Sequence, residues 1–186
     1  MKNVVKISTD GICLYVISKI IAHKIGLTFL IVLNILFGVL AFYVFAQAED
    51  NSNNVKAKVC MFLIGIPIYI FTLGRYTAWN LWGEERVIIN TKSISYQYSY
   101  GIVEPKMTTI PFRNLSLGIN ILDSTTNEEK GQFILYDYEE NNLPFEIFTS
   151  SGLISKPELI KISEEIEMLF NNEKYRGNNF IPYSIN

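Results

Sequence analysis

The hydrophobic and polar positions of this chain change rhythm along its length. Up to residue 24, short apolar runs are broken by lysines. Residues 25–46 are then uncharged and almost wholly apolar, and residues 59–74 are uncharged again. From residue 83 onward apolar and polar positions alternate, and after residue 155 the spacing turns to threes and fours. Those rhythms predict a short lead-in, a pair of long helices, a run of strands and a closing helix.

At 1.5 Å per residue, stretch 25–46 reaches about 33 Å as a helix, enough to cross a hydrocarbon core of roughly 30 Å. A helix is needed there because lipid offers no partner to backbone polar groups. Asn34 is its one strongly polar side chain, placed either to bond the second helix or to be satisfied by local backbone. Stretch 59–74 reaches only about 24 Å. It spans if the helix continues to residue 82 and Arg75 snorkels to the interface. Tyr76, Trp79 and Trp82 follow, the aromatic types that settle at headgroup level. Arg75, Tyr76, Trp79 and Trp82 are therefore read as membrane-interface anchors. Pro67 predicts a kink.

The lead-in carries Lys2, Lys6, Lys19 and Lys24 against Asp10, whereas the loop 47–58 balances Glu49 and Asp50 with Lys56 and Lys58. By the positive-inside rule both termini are expected in the cytoplasm. Val4, Val5 and Ile7 fit a short strand, Asp10-Gly11 is a turn signal, and 12–21 reads as an amphipathic piece at the membrane surface. The apolar run is longer than a secretory h-region and lacks a convincing cleavage site, so an uncleaved anchor is expected.

Beyond Gly83 the alternation predicts six strands, at 86–90, 93–100, 106–112, 115–121, 132–138 and 144–149, arranged as an antiparallel meander. Ile94, Tyr96, Tyr98 and Tyr100 share one face of the second. Ser155 and Glu158 have capping-box spacing ahead of a stripe of Leu159, Ile162, Ile166 and Leu169. Of the polar tail, Phe180, Ile181 and Tyr183 are expected to dock locally.

Composition adds exclusions. The hydrophobic share of 49% averages two unlike parts, and a net charge of −2 with no basic block gives no footprint for nucleic acid. The two cysteines, Cys13 and Cys60, lack metal-ligand spacing and are read as small apolar side chains. The only histidine, His23, lies outside the β region, and no HExxH, Walker A, GxGxxG or GxSxG occurs. The acidic pairs Glu84-Glu85, Glu128-Glu129, Glu139-Glu140 and Glu164-Glu165 read as solvated charge. The expectation is a non-enzyme with no cofactor and no metal.

A two-helix hairpin ending in Trp79-Asn80-Leu81-Trp82-Gly83-Glu84 is followed by a meander that contains Ile110-Pro111-Phe112-Arg113-Asn114-Leu115, and then by a capped helix. Over residues 25–172 this order resembles the bacterial PH-like (pleckstrin-homology-type) membrane proteins. It is also similar in outline to the photosystem I assembly protein family. The resemblance implies a PH-like β-barrel or sandwich of about six to seven strands capped by a C-terminal helix, and binding of proteins or lipid headgroups. The hairpin 93–112 offers only Lys106 where phosphoinositide-binding members present a basic pocket. A second outline, two transmembrane helices joined to a small β-barrel that senses a cyclic nucleotide, is found in some anti-phage effectors.

The expected organisation is a cytoplasmic or interfacial lead-in (1–24), a transmembrane hairpin (25–82, arms 25–46 and 59–82), a cytoplasmic PH-like β domain (83–172) and a tail (173–186). The expected role is a scaffold or assembly protein of the plasma (inner) membrane. Its partners would be the lipid bilayer and a membrane or membrane-associated protein, with homo-oligomerisation left open. The alternative is an effector gated by a small ligand such as a cyclic nucleotide.

Overall fold

The computed structural model describes residues 5–20, 22–46, 52–101, 103–123, 129–138, 143–171 and 179–181. The chain divides into two compact units. One is formed by 1–20 together with 83–186, the other by 21–82.

The first unit is an α+β fold with antiparallel sheets and a C-terminal helix. Its first sheet runs β1 (Val5–Thr9), β2 (Cys13–Lys19), β3 (Glu84–Asn90), β4 (Ser93–Ser99) and β5 (Thr108–Pro111), each antiparallel to the next. The second is built on β6 (Asn114–Asp123), β7 (Lys130–Tyr138) and β8 (Pro144–Thr149), with the two-residue β9 (Ile154–Ser155) also pairing β7. The tail adds β10 (Asn179–Ile181), which runs parallel to β6 at its outer edge. The Phe180 ring lies tilted against Phe170, with centroids 5.6 Å apart. Tyr183 and the acidic residues Glu128, Glu139 and Glu140 lie outside the described residues.

Alternation explains the layers. Leu14 and Val16 on β2, Val87 and Ile89 on β3, and Ile94 on β4 point inward from the first sheet. They meet Leu115 and Leu117 of β6, Phe133 and Leu135 of β7, and Phe148 of β8 in one hydrophobic cluster. Tyr96 and Phe148 touch across the two sheets with ring centroids 5.3 Å apart. Helix α4 (Lys156–Asn171) closes the cluster with Leu159, Ile162 and Ile166 fully buried. Its N-terminus is fastened by the Glu158 carboxylate, which accepts from the Ser155 hydroxyl at 2.7 Å and the Ser155 amide at 3.3 Å. Lys156 also reaches Glu129 at 2.6 Å.

Three expectations are corrected here. The lead-in is not a separate amphipathic piece: Cys13–Lys19 is a strand in full antiparallel register with β3. The β domain therefore begins before the helices and not at residue 83. The turn that makes this possible is local. Asp10 accepts from the Ile12 and Cys13 amides at 2.9 and 2.7 Å, and Gly11 takes the left-handed conformation (φ 83°). Glu84 and Glu85 are not a solvated loop pair but the first residues of β3.

The second unit holds α1 (Lys24–Ala46), α2 (Ser52–Tyr69), a π-helical turn (Ile70–Gly74) and α3 (Arg75–Trp82). Among the described residues one helix, Lys24–Val44, is long and apolar enough to cross a membrane, with a mean hydropathy of 2.6. The second arm fails that test as a single helix. Asn53, Asn54, Lys56 and Lys58 occupy its first turns, and the π-helical turn divides it after Pro67 and Tyr69.

Residues 21–82 are thus an insertion between neighbouring strands. The Ile20 amide donates to the Gly83 carbonyl at 2.9 Å, closing β2 onto β3 where the chain leaves and returns. A chain that joins Ile20 to Gly83 through Asn-Gly, a two-residue hairpin link, is expected to fold as a soluble β domain with a cooperative thermal transition. A fragment that starts at residue 83 lacks Leu14 and Val16 and is expected to aggregate or remain unfolded. Circular dichroism and size-exclusion chromatography of the two chains check this.

Candidate functional site

Two clusters of polar side chains sit where the pattern calls for apolar ones. The first lies on the inner face of the β unit. Ser18, Glu85 and Tyr98 stand side by side on β2, β3 and β4, through the register pairs Ser18↔Glu85 and Glu85↔Tyr98. They extend the apolar rows of Val16, Val87 and Tyr96 by one step toward the strand ends that carry the insertion. Glu85 is 1% exposed. Both its carboxylate oxygens accept from the Ser151 amide, each at 3.1 Å. The Ser18 hydroxyl is buried and has no hydrogen-bond partner among the described residues.

The 150–153 segment that caps this row is held from both sides. Ser150 exchanges bonds with Phe133, its amide donating to the Phe133 carbonyl at 3.0 Å and its hydroxyl accepting from the Phe133 amide at 3.1 Å. Gly152 then packs so closely that a Cβ there would stand 3.0 Å from the Ser18 oxygen and 3.4 Å from Ile20 Cδ1. The absence of a side chain is what lets this loop reach β2.

Burial pushes the Glu85 carboxyl up to about 7, against opposing hydrogen bonds from the Ser151 amide and hydroxyl and the Gly152 amide. Tyr98 is also raised, by burial first and then by the negative charge of Glu85. On the other face of β3, Arg86 bonds Glu84 at 2.7 Å and approaches Glu104 at 3.3 Å. Glu85 can therefore take and release a proton near neutrality, whereas Glu84 sits in an ion pair.

The second cluster lies in the helical unit. Asn34 donates to the Leu30 carbonyl at 2.6 Å and to the Thr77 hydroxyl at 2.9 Å, and its side-chain oxygen accepts from the Tyr69 hydroxyl. Both roles weighed for Asn34 are thus filled at once, the local backbone bond and the contact to the second arm. Tyr69 stacks on Phe37 with centroids 4.5 Å apart and planes within 8°. Thr77 donates in turn to Leu73, and Thr72 to Ile68, so hydroxyls occupy carbonyls around the π-helical turn. Of the four residues read as interface anchors, all lie on α3, where Tyr76 and Trp82 are exposed.

The described residues contain no group of three His, Cys, Asp or Glu side chains able to hold a metal ion. His23 belongs to the helical unit. Sequence reasoning missed Glu85 by reading the Glu84-Glu85 pair as surface charge. The signal was present, since Glu85, Val87 and Ile89 share one face at a spacing of two. No protein-family model and no curated protein matches this sequence.

Two outcomes follow from these geometries. A carboxyl raised from 4.5 to about 7 binds a proton more tightly folded than unfolded. Stability is then greatest below pH 4.5, falls as pH rises toward 7 and levels off above, by about 3 kcal/mol in all for this group. Glu85→Gln removes that slope and raises the melting temperature above pH 7, as thermal unfolding at pH 5 and pH 8 will show. In the helical unit, Asn34→Ala and Thr77→Ala are expected to couple by about 0.6–1.7 kcal/mol in a double-mutant cycle.

Proposed function

We infer that this protein is a non-enzymatic integral membrane protein that presents a PH-like β domain at the cytoplasmic face of the plasma (inner) membrane. The observation that carries this is the exposure of α1. Its apolar window Lys24–Val44 is only 6% buried. A core helix of a soluble protein would hide that surface, and an exposed apolar face of this length calls for lipid. A cleaved leader fits less well, because β1 and β2 precede the helix and pair with the domain that follows it.

The second arm would return the chain through the bilayer. Its polar first turns, with Lys56 and Lys58, suit the far interface, and Arg75, Tyr76, Trp79 and Trp82 suit the near one. Asn34, Tyr69 and Thr77 satisfy one another between the two arms, as polar groups in lipid require. The lysines of the lead-in favour the cytoplasm for both termini.

Two antiparallel sheets around a single core, closed by a C-terminal helix, support the PH-like reading of the β unit. The strands β1 and β2 ahead of the helices extend that outline. Such a domain, joined to the helices by Gly83 alone on one side, suits a partner in or on the same membrane. A scaffold or assembly role is the result.

The protein is expected in the membrane fraction after alkaline carbonate washing, which strips peripheral proteins. With Cys13→Ser and Cys60→Ser in place, a cysteine at Asn51→Cys should react with a membrane-impermeant thiol reagent from the outside of intact cells. Labelling from the cytoplasmic side only would overturn the orientation. Crosslinking in native membranes should capture a membrane-associated protein or a second copy of this chain. A chain that crosslinks to nothing would speak against the scaffold role.

A further inference from the structure

We propose that the Glu85 carboxyl is a proton-operated fastener, holding the 150–153 loop to the two strands between which residues 21–82 are inserted. It concerns the β unit alone. The ionised carboxylate is an acceptor only, and the Ser151 amide meets both of its oxygens at 3.1 Å. The protonated carboxyl keeps one accepting oxygen and gains an O–H that needs an acceptor of its own. One is waiting directly across the strand pair. Ser18 is 2% exposed, stands in register with Glu85, and its hydroxyl has no partner among the described residues. Side chains directly opposite in an antiparallel pair have Cβ atoms about 4.5–5.5 Å apart, within hydrogen-bond reach for Ser and Glu. The ionised carboxyl thus holds the Ser151 amide with both charged oxygens, whereas the protonated one holds it with a single neutral oxygen, a weaker bond, and turns its O–H to the Ser18 hydroxyl.

Among the described residues no neighbouring charge overrides this choice. From β4, Tyr98 is the titratable group that faces Glu85, and its own ionisation is pushed upward. From β2 comes Ser18, while Lys19 alternates to the other side and is exposed. On β3 itself, Glu84 and Arg86 lie on the opposite face and bond one another. From the loop come the Ser151 hydroxyl and the Gly152 amide. The carboxyl's midpoint of about 7 places the exchange of partners near neutrality.

The position gives the fastener its consequence. Gly152 packs against Ser18 and Ile20, and Ile20 is the residue whose amide closes onto Gly83. Loosening the loop therefore removes the Gly152 packing from Ser18 and Ile20, at the end of the strand pair that the ladder bonds and the Ile20–Gly83 bond otherwise hold.

The test is amide hydrogen exchange and carboxyl titration on the full-length protein in mild detergent. After correction for intrinsic rates, exchange in segment 150–153 should be about tenfold faster at pH 6 than at pH 8, the change that loss of one hydrogen bond gives. Glu85→Gln, which mimics the protonated form, should exchange at the faster level at both pH values. Ser18→Ala should lower the Glu85 midpoint, read from the carbon resonance of labelled glutamate, because the protonated form loses its acceptor. An ordinary carboxylate midpoint of about 4.3, or the same pH dependence in Glu85→Gln as in the native chain, would overturn the proposal. If Glu85→Gln fails to fold, the native midpoint and its shift in Ser18→Ala decide, and an unmoved midpoint rejects the partner exchange.

Discussion

The pairing of β2 with β3 is the interaction on which the remaining structure rests. It joins residues separated by the whole of the helical unit, from Cys13↔Asn90 to Lys19↔Glu84, without a break in register. Everything upstream depends on it. β1 is held only by β2 within its sheet, and α4 packs against both. Without β2, the buried faces of Val87 and Ile89 would lie at a bare sheet edge, where unpaired amides and apolar side chains invite association with other chains. Closing so long a loop costs entropy that grows only slowly with length, and the contacts of α1 with α3 through Asn34 and Thr77 shorten the effective gap.

The two units handle misplaced polarity differently. In the helical unit the polar groups are mutually satisfied, with Asn34, Tyr69 and Thr77 each bonded to another member or to a carbonyl. That arrangement ties α1 to α3 and to the end of α2 at one register. In the β unit the row is incomplete. Glu85 is bonded on the loop side, and the Ser18 hydroxyl beside it has no partner among the described residues. A satisfied network holds one geometry, whereas a partly satisfied one leaves room for two.

Much of the fold was legible in the sequence because its signals are local. Period-two alternation located β3 through β8 to within a few residues, and the Ser155–Glu158 spacing marked the start of α4 at the right place. The apolar run of α1 stood out by composition alone. What escaped was non-local. Leu14, Val16 and Ser18 alternate as a strand should, but they precede an apolar helix and are followed by Lys19, and a spacing that fits both readings was resolved by that neighbourhood. Their true partner, β3, lies beyond residue 82, where no local rule looks. Glu85 was hidden by its neighbour Glu84, since a pair of acids suggests solvent although the face it shares with Val87 and Ile89 does not. The π-helical turn had only Thr72 and Gly74 within it, and Thr77 just beyond, to announce it. Asn34 was legible as an anomaly, and its partners Tyr69 and Thr77 became visible only once both arms were placed.

Because the helical unit interrupts the first sheet, the order of synthesis separates β2 from its partner. A ribosome adding about 5–20 residues per second needs roughly 3 to 12 seconds to pass from Ile20 to Gly83. Throughout that interval β2 has β1 but not β3 to pair with, and a two-stranded hairpin is marginal in water. Leu14 and Val16 are left uncovered while the most apolar part of the chain emerges behind them. Assembly of the first sheet therefore waits until the helices have been made, because β2 meets β3 only then.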